Sequence, residues 1–328
     1  MASADSAETP GRSAGMDRYY QQLASAGLAP LWESLASLAP REPSPQATPH
    51  LWKYGETRAH LLEAGRLITA EEAERRVVVL ANPGLPGRLQ ATDTLYAGLQ
   101  LILPGEVAPP HRHSQAALRF VMEGQGAYTA VNGEKAWMSP GDLIVTPAMT
   151  WHEHGGGSEP VIWLDGLDVP LVGFLNAGFR EEPGGRTLGP APTSAPGAFA
   201  WPYARSREAL MRLASAEEID PWRGYVLRHQ TPEGRWPMPT LASVLRYLPK
   251  GFRTRPYRAT HSLVASVVEG RARAVVGGER FELGPRDLFA VPGWTHYQLE
   301  ADEDCVIFAF SDMPVYQALG LWREERQA

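Results

Sequence analysis

The chain has a single cysteine, Cys305, in 328 residues. An intrachain disulfide is therefore excluded, and a reducing compartment, the cytoplasm, is the expected location. No apolar run approaches the roughly 20 residues that cross a bilayer, so no membrane-spanning helix is expected. No apolar core follows the first methionine either: MASADSAETPGRSAG reads as a disordered tail, not as a secretory signal. Excess positive charge is also missing. The net charge is -6 with both signs interspersed, which offers no surface for nucleic acid; Arg253, Arg255 and Arg258 read as salt-bridged or solvated rim. Proline and glycine, by contrast, are plentiful at 29 and 32 residues and evenly scattered. That pattern puts many turns between short strands and favours a β-rich protein. The length is about twice that of a typical domain, so two domains are expected.

The pattern that organises the chain is PGEVAPPHRHSQAALRFVMEGQG, Pro104 to Gly126, followed by GDLIVTPAMTWHEH, Gly141 to His154. If the first histidines lie on a strand, the period of two puts His111 and His113 on one face and Arg112 on the other. Leu143-Ile144-Val145 reads as a buried strand ended by Pro147, after which comes His152. Three imidazoles can thus converge, and neutral imidazole suits Fe, Zn, Cu, Ni or Mn. The bland alternative is ordinary histidines at strand ends. Gly105, five residues, HxH, then Glu123-Gly124, and later Gly141, five residues, Pro147 and His152, match the two cupin motifs in order and spacing.

On these residues the chain resembles the gentisate 1,2-dioxygenase family of bicupins, which includes salicylate and 1-hydroxy-2-naphthoate dioxygenases. The resemblance also takes in Pro49-His50-Leu51-Trp52, Ala73-Glu74-Arg75-Arg76, Asn82-Pro83-Gly84, Tyr96 to Gln100, Ser311 to Pro314 and Ala318 to Leu321. It implies a mainly β bicupin fold, two β-barrel (double-stranded β-helix, jelly-roll) domains with N-terminal helices. It also implies Fe2+ as the metal and a homotetramer as the assembly.

Taken in order, Leu23, Leu28, Leu31, Trp32, Leu35 and Leu38 recur at helical spacing around Pro30, which predicts two short helices packed on a barrel or a neighbouring subunit. Thr57 to Ala64 reads as another helix. Thr69-Ala70-Glu71-Glu72 has the form of a capping box opening a helix that carries Glu72 and reaches toward Arg75, before a strand at Val77 to Leu80. Strands are expected over 94–103, 116–122, 127–131, 135–138, 142–146 and 161–167, with Asn132-Gly133 as a hairpin turn. The Pro, Gly and Ala-rich stretch from Arg180 to Tyr203 is the expected domain connector, and Ser206 to Ala214 a helix. The division is 1–15 tail, 16–88 helical segment entering the first barrel, 89–179 catalytic cupin, 180–238 linker and helix, 239–315 second cupin, 316–328 C-terminal tail.

Gly251 to Gly270 followed by Gly284 to His296 repeats the first cupin's layout, an internal duplication. In the copy, Tyr257 and Ala259 take the places of His111 and His113, His261 falls two residues late, and His296 sits one residue closer to Pro292 than His152 does to Pro147. The second cupin therefore reads as a metal-free structural and oligomerisation partner. His50, His60 and His229 have no partner at useful spacing and read as structural or exposed.

Where many cupins carry a Glu ligand after the second His, Ala117 and Leu118 stand, so the expected shell is His111, His113 and His152. Three neutral ligands leave a divalent ion its full charge, which favours an anion chelating through two oxygens. A 2-hydroxybenzoate has that geometry in its carboxylate and phenolate. By resemblance the reaction is ring cleavage between the carboxyl-bearing and adjacent hydroxyl-bearing carbons with both atoms of O2, gentisate giving maleylpyruvate. Arg119, flanked by Leu118 and Phe120, is better explained by an internal anion than by a surface salt bridge, and is expected to hold the substrate carboxylate. His154 is expected to face the pocket and move a proton, with Asp165 orienting it. By resemblance Arg75 and Gln100, with Arg119, His154 and Asp165, surround the substrate, Arg76 competing for the place of Arg75; Tyr96 and Gly98 are expected to shape the ring pocket and Trp163 to contact the substrate. Salicylate, a substituted salicylate or 1-hydroxy-2-naphthoate are alternative substrates, and a non-catalytic bicupin that binds a small carboxylate is the reading from another class.

Overall fold

The computed structural model describes residues 13–184 and 199–327. Most of the expected N-terminal tail, and residues 185–198 of the expected connector, lie outside the described residues. The described chain forms two compact units, Met1–Ser44 and Pro45–Ala328. In the smaller unit, α1 (Ala14–Ser25) is capped by the Ser13 side chain and followed by Gly27 at φ +70°, and α2 (Leu31–Leu38) starts directly after Pro30. These are the two helices the leucine spacing predicts. Tyr20 ties them together, donating to Glu33 at 2.6 Å and accepting from Trp32 Nε1 at 2.9 Å.

In the larger unit the elements follow as β1 (His50–Trp52), α3 (Tyr54–Leu67), α4 (Ala70–Ala73), β2 (Val77–Val79), β3 (Tyr96–Ile102), β4 (Val107–His113), β5 (Ala117–Glu123), β6 (Tyr128–Val131), β7 (Glu134–Trp137), β8 (Leu143–Thr146), β9 (His152–Gly155), β10 (Val161–Leu167), α5 (Val169–Phe174) and β11 (Arg180–Glu181). The second half repeats this with β12 (Ala200–Trp201), α6 (Tyr203–Ala216), β13 (Tyr225–Arg228), β14 (Ala242–Leu248), β15 (Tyr257–Ala259), β16 (Leu263–Glu269), β17 (Ala272–Val276), β18 (Glu279–Leu283), β19 (Leu288–Val291), β20 (Tyr297–Ala301), β21 (Cys305–Ser311), α7 (Met313–Ala318) and β22 (Glu324–Arg326). No helix among the described residues is long and apolar enough to cross a membrane.

Each half is a jelly roll of two facing antiparallel sheets rather than a hydrogen-bonded closed barrel. The first pairs β12-β8-β5-β10-β3-β2 with β11-β4-β9-β6-β7; the second pairs β1-β19-β16-β21-β14-β13 with β18-β17-β20-β15-β22. The duplication is therefore wider than the motif repeat suggests, and it is interlocked. β1 precedes the first jelly roll but pairs with β19 of the second, while β12 precedes the second but pairs with β8 of the first. Trp52 stands opposite Leu288 as Trp201 stands opposite Leu143. The helices that follow begin on equivalent carboxylates: Tyr54 N–H donates to Asp287 at 3.0 Å and Tyr203 N–H to Asp142 at 2.8 Å.

Strand alternation sorts the side chains. On β5, Leu118 and Phe120 join the core between the jelly rolls, where Phe120 stacks on Phe308 at 4.0 Å between centroids. Val121, on the opposite face, belongs to a separate cluster inside the first jelly roll with Ile102, Ile144 and Trp163. That cluster is small and fills only part of the interior. The second jelly roll is packed far more fully, from Tyr257, Val267 and Leu283 to Phe289 and Ile307. An incompletely filled first interior leaves room for polar side chains.

Candidate metal centre

His111 and His113 come from β4 and His152 from β9, and His111 is the register partner of His152. That register is set by a bulge at Pro109-Pro110, where the pairing slips between Ala108 and His111. Prolines have no N–H to lose from the ladder, so a bulge costs least there. β9 itself was not among the strands expected from sequence. It also carries His154, which pairs with Thr129 of β6.

The three rings lie with their ligand atoms within 4.8 Å of one another, and all three are buried. Each Nδ1 bonds a backbone carbonyl: His111 to Pro109 O at 2.8 Å, His113 to Gln115 O at 2.8 Å, His152 to Thr150 O at 2.9 Å. A carbonyl only accepts, so each Nδ1 carries the proton and each Nε2 presents a lone pair. Burial holds all three rings neutral, with His111 lowered to about 3 and His113 to about 4, both helped by the Arg75 charge. His152 is lowered further, with Arg119 assisting burial. Its Nε2 is buried without a hydrogen-bond partner. A buried lone pair with no donor, converging with the Nε2 atoms of His111 and His113, is the arrangement a metal ion satisfies. Among the described residues this is the one such group of three.

Around it the interior is cationic. Arg75 follows α4 rather than lying on it: the capping box of Thr69 and Glu72 forms, but the helix ends at Ala73, and Glu74 turns the chain at φ +49°. The Arg75 guanidinium then reaches Nε2 of His111. Arg76 points elsewhere, clamping Glu106 at 2.8 Å and Ile68 O at 3.0 Å. Arg119, 4% exposed, donates through Nη1 to Thr146 at 2.7 Å and approaches Asp165 at 3.6 Å through Nε. Burial brings its pKa down to about 10.

His154 lies beside the triad, 5.6 Å from His152 between centroids, but outside the group of converging ligand atoms. Its Nδ1 is hydrogen-bonded to Thr129 Oγ1 at 2.9 Å. Burial holds it far below the usual histidine range. Asp165 does not orient it. That carboxylate instead accepts from Trp163 Nε1 at 2.9 Å and faces Arg119. Trp163 sits in the apolar floor, opposite the buried Gln100 of β3. The Tyr96 phenol is raised by burial and by Asp165. At Gly98 a Cβ would meet Val77 Cγ1 at 2.6 Å and the Tyr96 hydroxyl at 3.0 Å, so a side chain there displaces one of them. An open cleft of about 430 Å³, lined by Arg75, Pro109, His111 and Arg180 among others, runs beside the centre. That volume suits a single-ring acid.

Sequence reasoning missed Thr129, Thr146 and the bulge prolines. A threonine in a strand reads as ordinary β-former, and only the register reveals its partner. Trp-x-Tyr at Trp52-Lys53-Tyr54 and again at Trp201-Pro202-Tyr203 was the available signal for the wider duplication.

Known proteins agree with this picture. The Cupin domain family matches residues 98–167. A gentisate 1,2-dioxygenase of Aquipseudomonas alcaligenes is 44% identical, covering 97% of this chain and 99% of its own. A 1-hydroxy-2-naphthoate 1,2-dioxygenase of Nocardioides sp. (strain KP7) is 32% identical over 87% of this chain and 81% of its own. Among solved structures, salicylate 1,2-dioxygenase of Pseudoaminobacter salicylatoxidans, crystallised as adducts with gentisate, superposes with a TM-score of 0.89 at 31% identity, covering 98% of this chain and 96% of that one. These likenesses set aside the non-catalytic reading. With two jelly rolls, a three-histidine centre in the first and relatives matched over nearly the whole length, the chain belongs to the gentisate and salicylate 1,2-dioxygenase family of bicupin ring-cleaving dioxygenases.

Proposed function

We propose that this chain is an Fe2+-dependent dioxygenase that opens the ring of gentisate between its carboxyl-bearing carbon and the neighbouring hydroxyl-bearing carbon, adding both atoms of O2 to give maleylpyruvate. The observation that carries this reading is one interior that joins three neutral imidazoles, their Nε2 atoms converging and that of His152 without a donor, to the guanidiniums of Arg75 and Arg119. Nε2 of His111, His113 and His152 would hold the ion. Bound Fe2+ supplies a divalent charge for a chelating carboxylate and phenolate, and a redox couple through which ring electrons reach O2.

The chain's own residues supply position and proton control. Arg119 is fixed by Thr146 on one nitrogen and Asp165 near another, so its remaining edge is pre-aimed at the substrate carboxylate. Arg75 adds a second cation at the cleft side. His154, neutral and held by Thr129 at Nδ1, exposes Nε2 as the atom that gives or takes a proton at a substrate hydroxyl. Tyr96, Gly98, Gln100 and Trp163 form the wall against the ring.

A broader substrate range is a second reading, because the salicylate 1,2-dioxygenase neighbour is described with gentisate. Oxygen uptake by anaerobically Fe2+-loaded protein decides between them, run in parallel with gentisate, salicylate, 5-substituted salicylates and 1-hydroxy-2-naphthoate. Rapid uptake with gentisate alone establishes the narrow function; comparable rates without the para hydroxyl establish the broad one; no uptake with any of them refutes both.

A further inference from the structure

The second jelly roll encloses a cation without a counter-charge. Arg246 of β14 stands at the position that Gln100 of β3 holds in the first jelly roll, fifth in a seven-residue strand paired along its length with the strand that precedes the short helix. It is 7% exposed and makes no ion pair among the described residues. Its Nη1 donates to the Tyr297 hydroxyl at 2.7 Å, while its Nε is buried with no partner. His261, 6% exposed, lies on the same cavity with Nδ1 likewise buried and unpartnered. The cavity is small, about 40 Å³. Three arginines line it, Arg223, Arg228 and Arg246, and no carboxylate does. Arg223 is already satisfied by Asp220 at 2.8 Å.

We propose that this cavity is an anion site that binds a small monovalent anion, a halide or a formate-sized carboxylate, between Arg246 Nε and His261. A guanidinium stays charged at any pH the protein meets, and leaving one buried and unpaired is among the costlier arrangements a fold can hold. An anion removes that cost through charge-assisted hydrogen bonds. Burial, with Arg246 assisting, lowers His261 to about 3, so the ring is neutral and donates a single N–H without adding a second cation. Size sets the ligand class. A single water needs roughly 10–15 Å³ by the same measure, so the space takes a halide or a one-carbon oxoanion and excludes an aromatic acid. The second jelly roll has lost the metal ligands, Tyr257 and Tyr297 pairing where His111 and His152 pair in the first, yet it retains a polar pocket in the same interior.

The test uses the full, metal-loaded chain and bromide as probe. Crystals soaked in sodium bromide should show an anomalous peak within hydrogen-bonding distance of Arg246 Nε and His261, and sodium formate should place a carboxylate there. In parallel, bromide and formate should raise the melting temperature, on the order of 2 °C at saturating anion, relative to sulfate at equal ionic strength. Arg246→Met should abolish that rise, and Arg246→Lys should keep part of it. Wild-type crystals with no bromide or formate at Arg246 would overturn the proposal whether or not the variants fold. A rise that persists unchanged in Arg246→Met would overturn it as well.

Discussion

Arg119 and Asp165 are register partners on adjacent strands, β5 and β10, and face each other inside the first jelly roll with Nε and Oδ1 3.6 Å apart. Each is the other's compensation for burial. Removing one charge strands its partner, at a cost of about 3–5 kcal/mol for a buried pair. Asp165→Ala should therefore lower unfolding free energy by on the order of 3 kcal/mol, and Arg119→Met combined with Asp165→Leu should recover much of the loss. Urea titrations of the two variants check this; equal loss in both would mean the pair is not coupled.

Arg119→Ala, read kinetically, should act mostly on substrate affinity. KM for gentisate should rise at least tenfold with metal content unchanged, since Arg119 touches none of the three ligand imidazoles by hydrogen bond.

His111→Ala and His152→Ala should each abolish metal binding and turnover, as measured by elemental analysis and oxygen uptake. His296→Ala should change neither, because that ring lies in the second jelly roll, its Nε2 accepting from the Gln327 amide at 2.9 Å with the Glu325 carboxylate 3.3 Å away.

Thr129→Val should leave the metal in place and, on the proposed proton-moving role of His154, lower kcat roughly tenfold, a fraction of what a positioned acid–base group contributes. Thr129→Ser should restore most of it. A loss that serine does not rescue would make Thr129 a packing residue and not a positioning one.

The aspartates that begin the short helices give a pH signature. Asp168 accepts from Ala116 N–H at 2.9 Å and Thr240 at 2.6 Å; Asp312 accepts from Ser262 N–H at 2.8 Å and from Thr94. Burial pushes Asp168 up to about 6 and Asp312 to about 7. A carboxyl raised on folding binds its proton more tightly in the folded chain, so its contribution falls as pH rises from about 4 to 7. Asp312→Asn, which cannot ionise, should accordingly gain on wild type by on the order of 1–3 kcal/mol across that window. Chemical denaturation at pH 5 and pH 7.5 reads the difference directly; a constant offset would rule out the shift.

The convergence of His111, His113 and His152 was legible in the sequence because chemistry at a strand end leaves a short, local pattern: HxH, then a proline and a third histidine. The interior position of Arg119 was legible too, from its place between the apolar Leu118 and Phe120, which face the core on the other side of β5. What long-range pairing decides was not legible. Asp165 turned to Arg119 and Trp163 instead of His154, Thr129 met His154 from another strand, and β1 and β12, only three and two residues long, carry no periodicity of their own. Arg75 and Arg76 could be told apart only once the turn at Glu74 sent them in different directions.

The crossing of β1 and β12 means that the two halves are not separable at Arg180 to Tyr203, where composition suggests a cut. Each half would leave carrying the strip that finishes its neighbour's sheet, and would expose an unpaired edge next to β8 or β19. Two gene fragments divided there should behave as complementing pieces. Expressed together they should purify as one complex, and expressed singly they should aggregate.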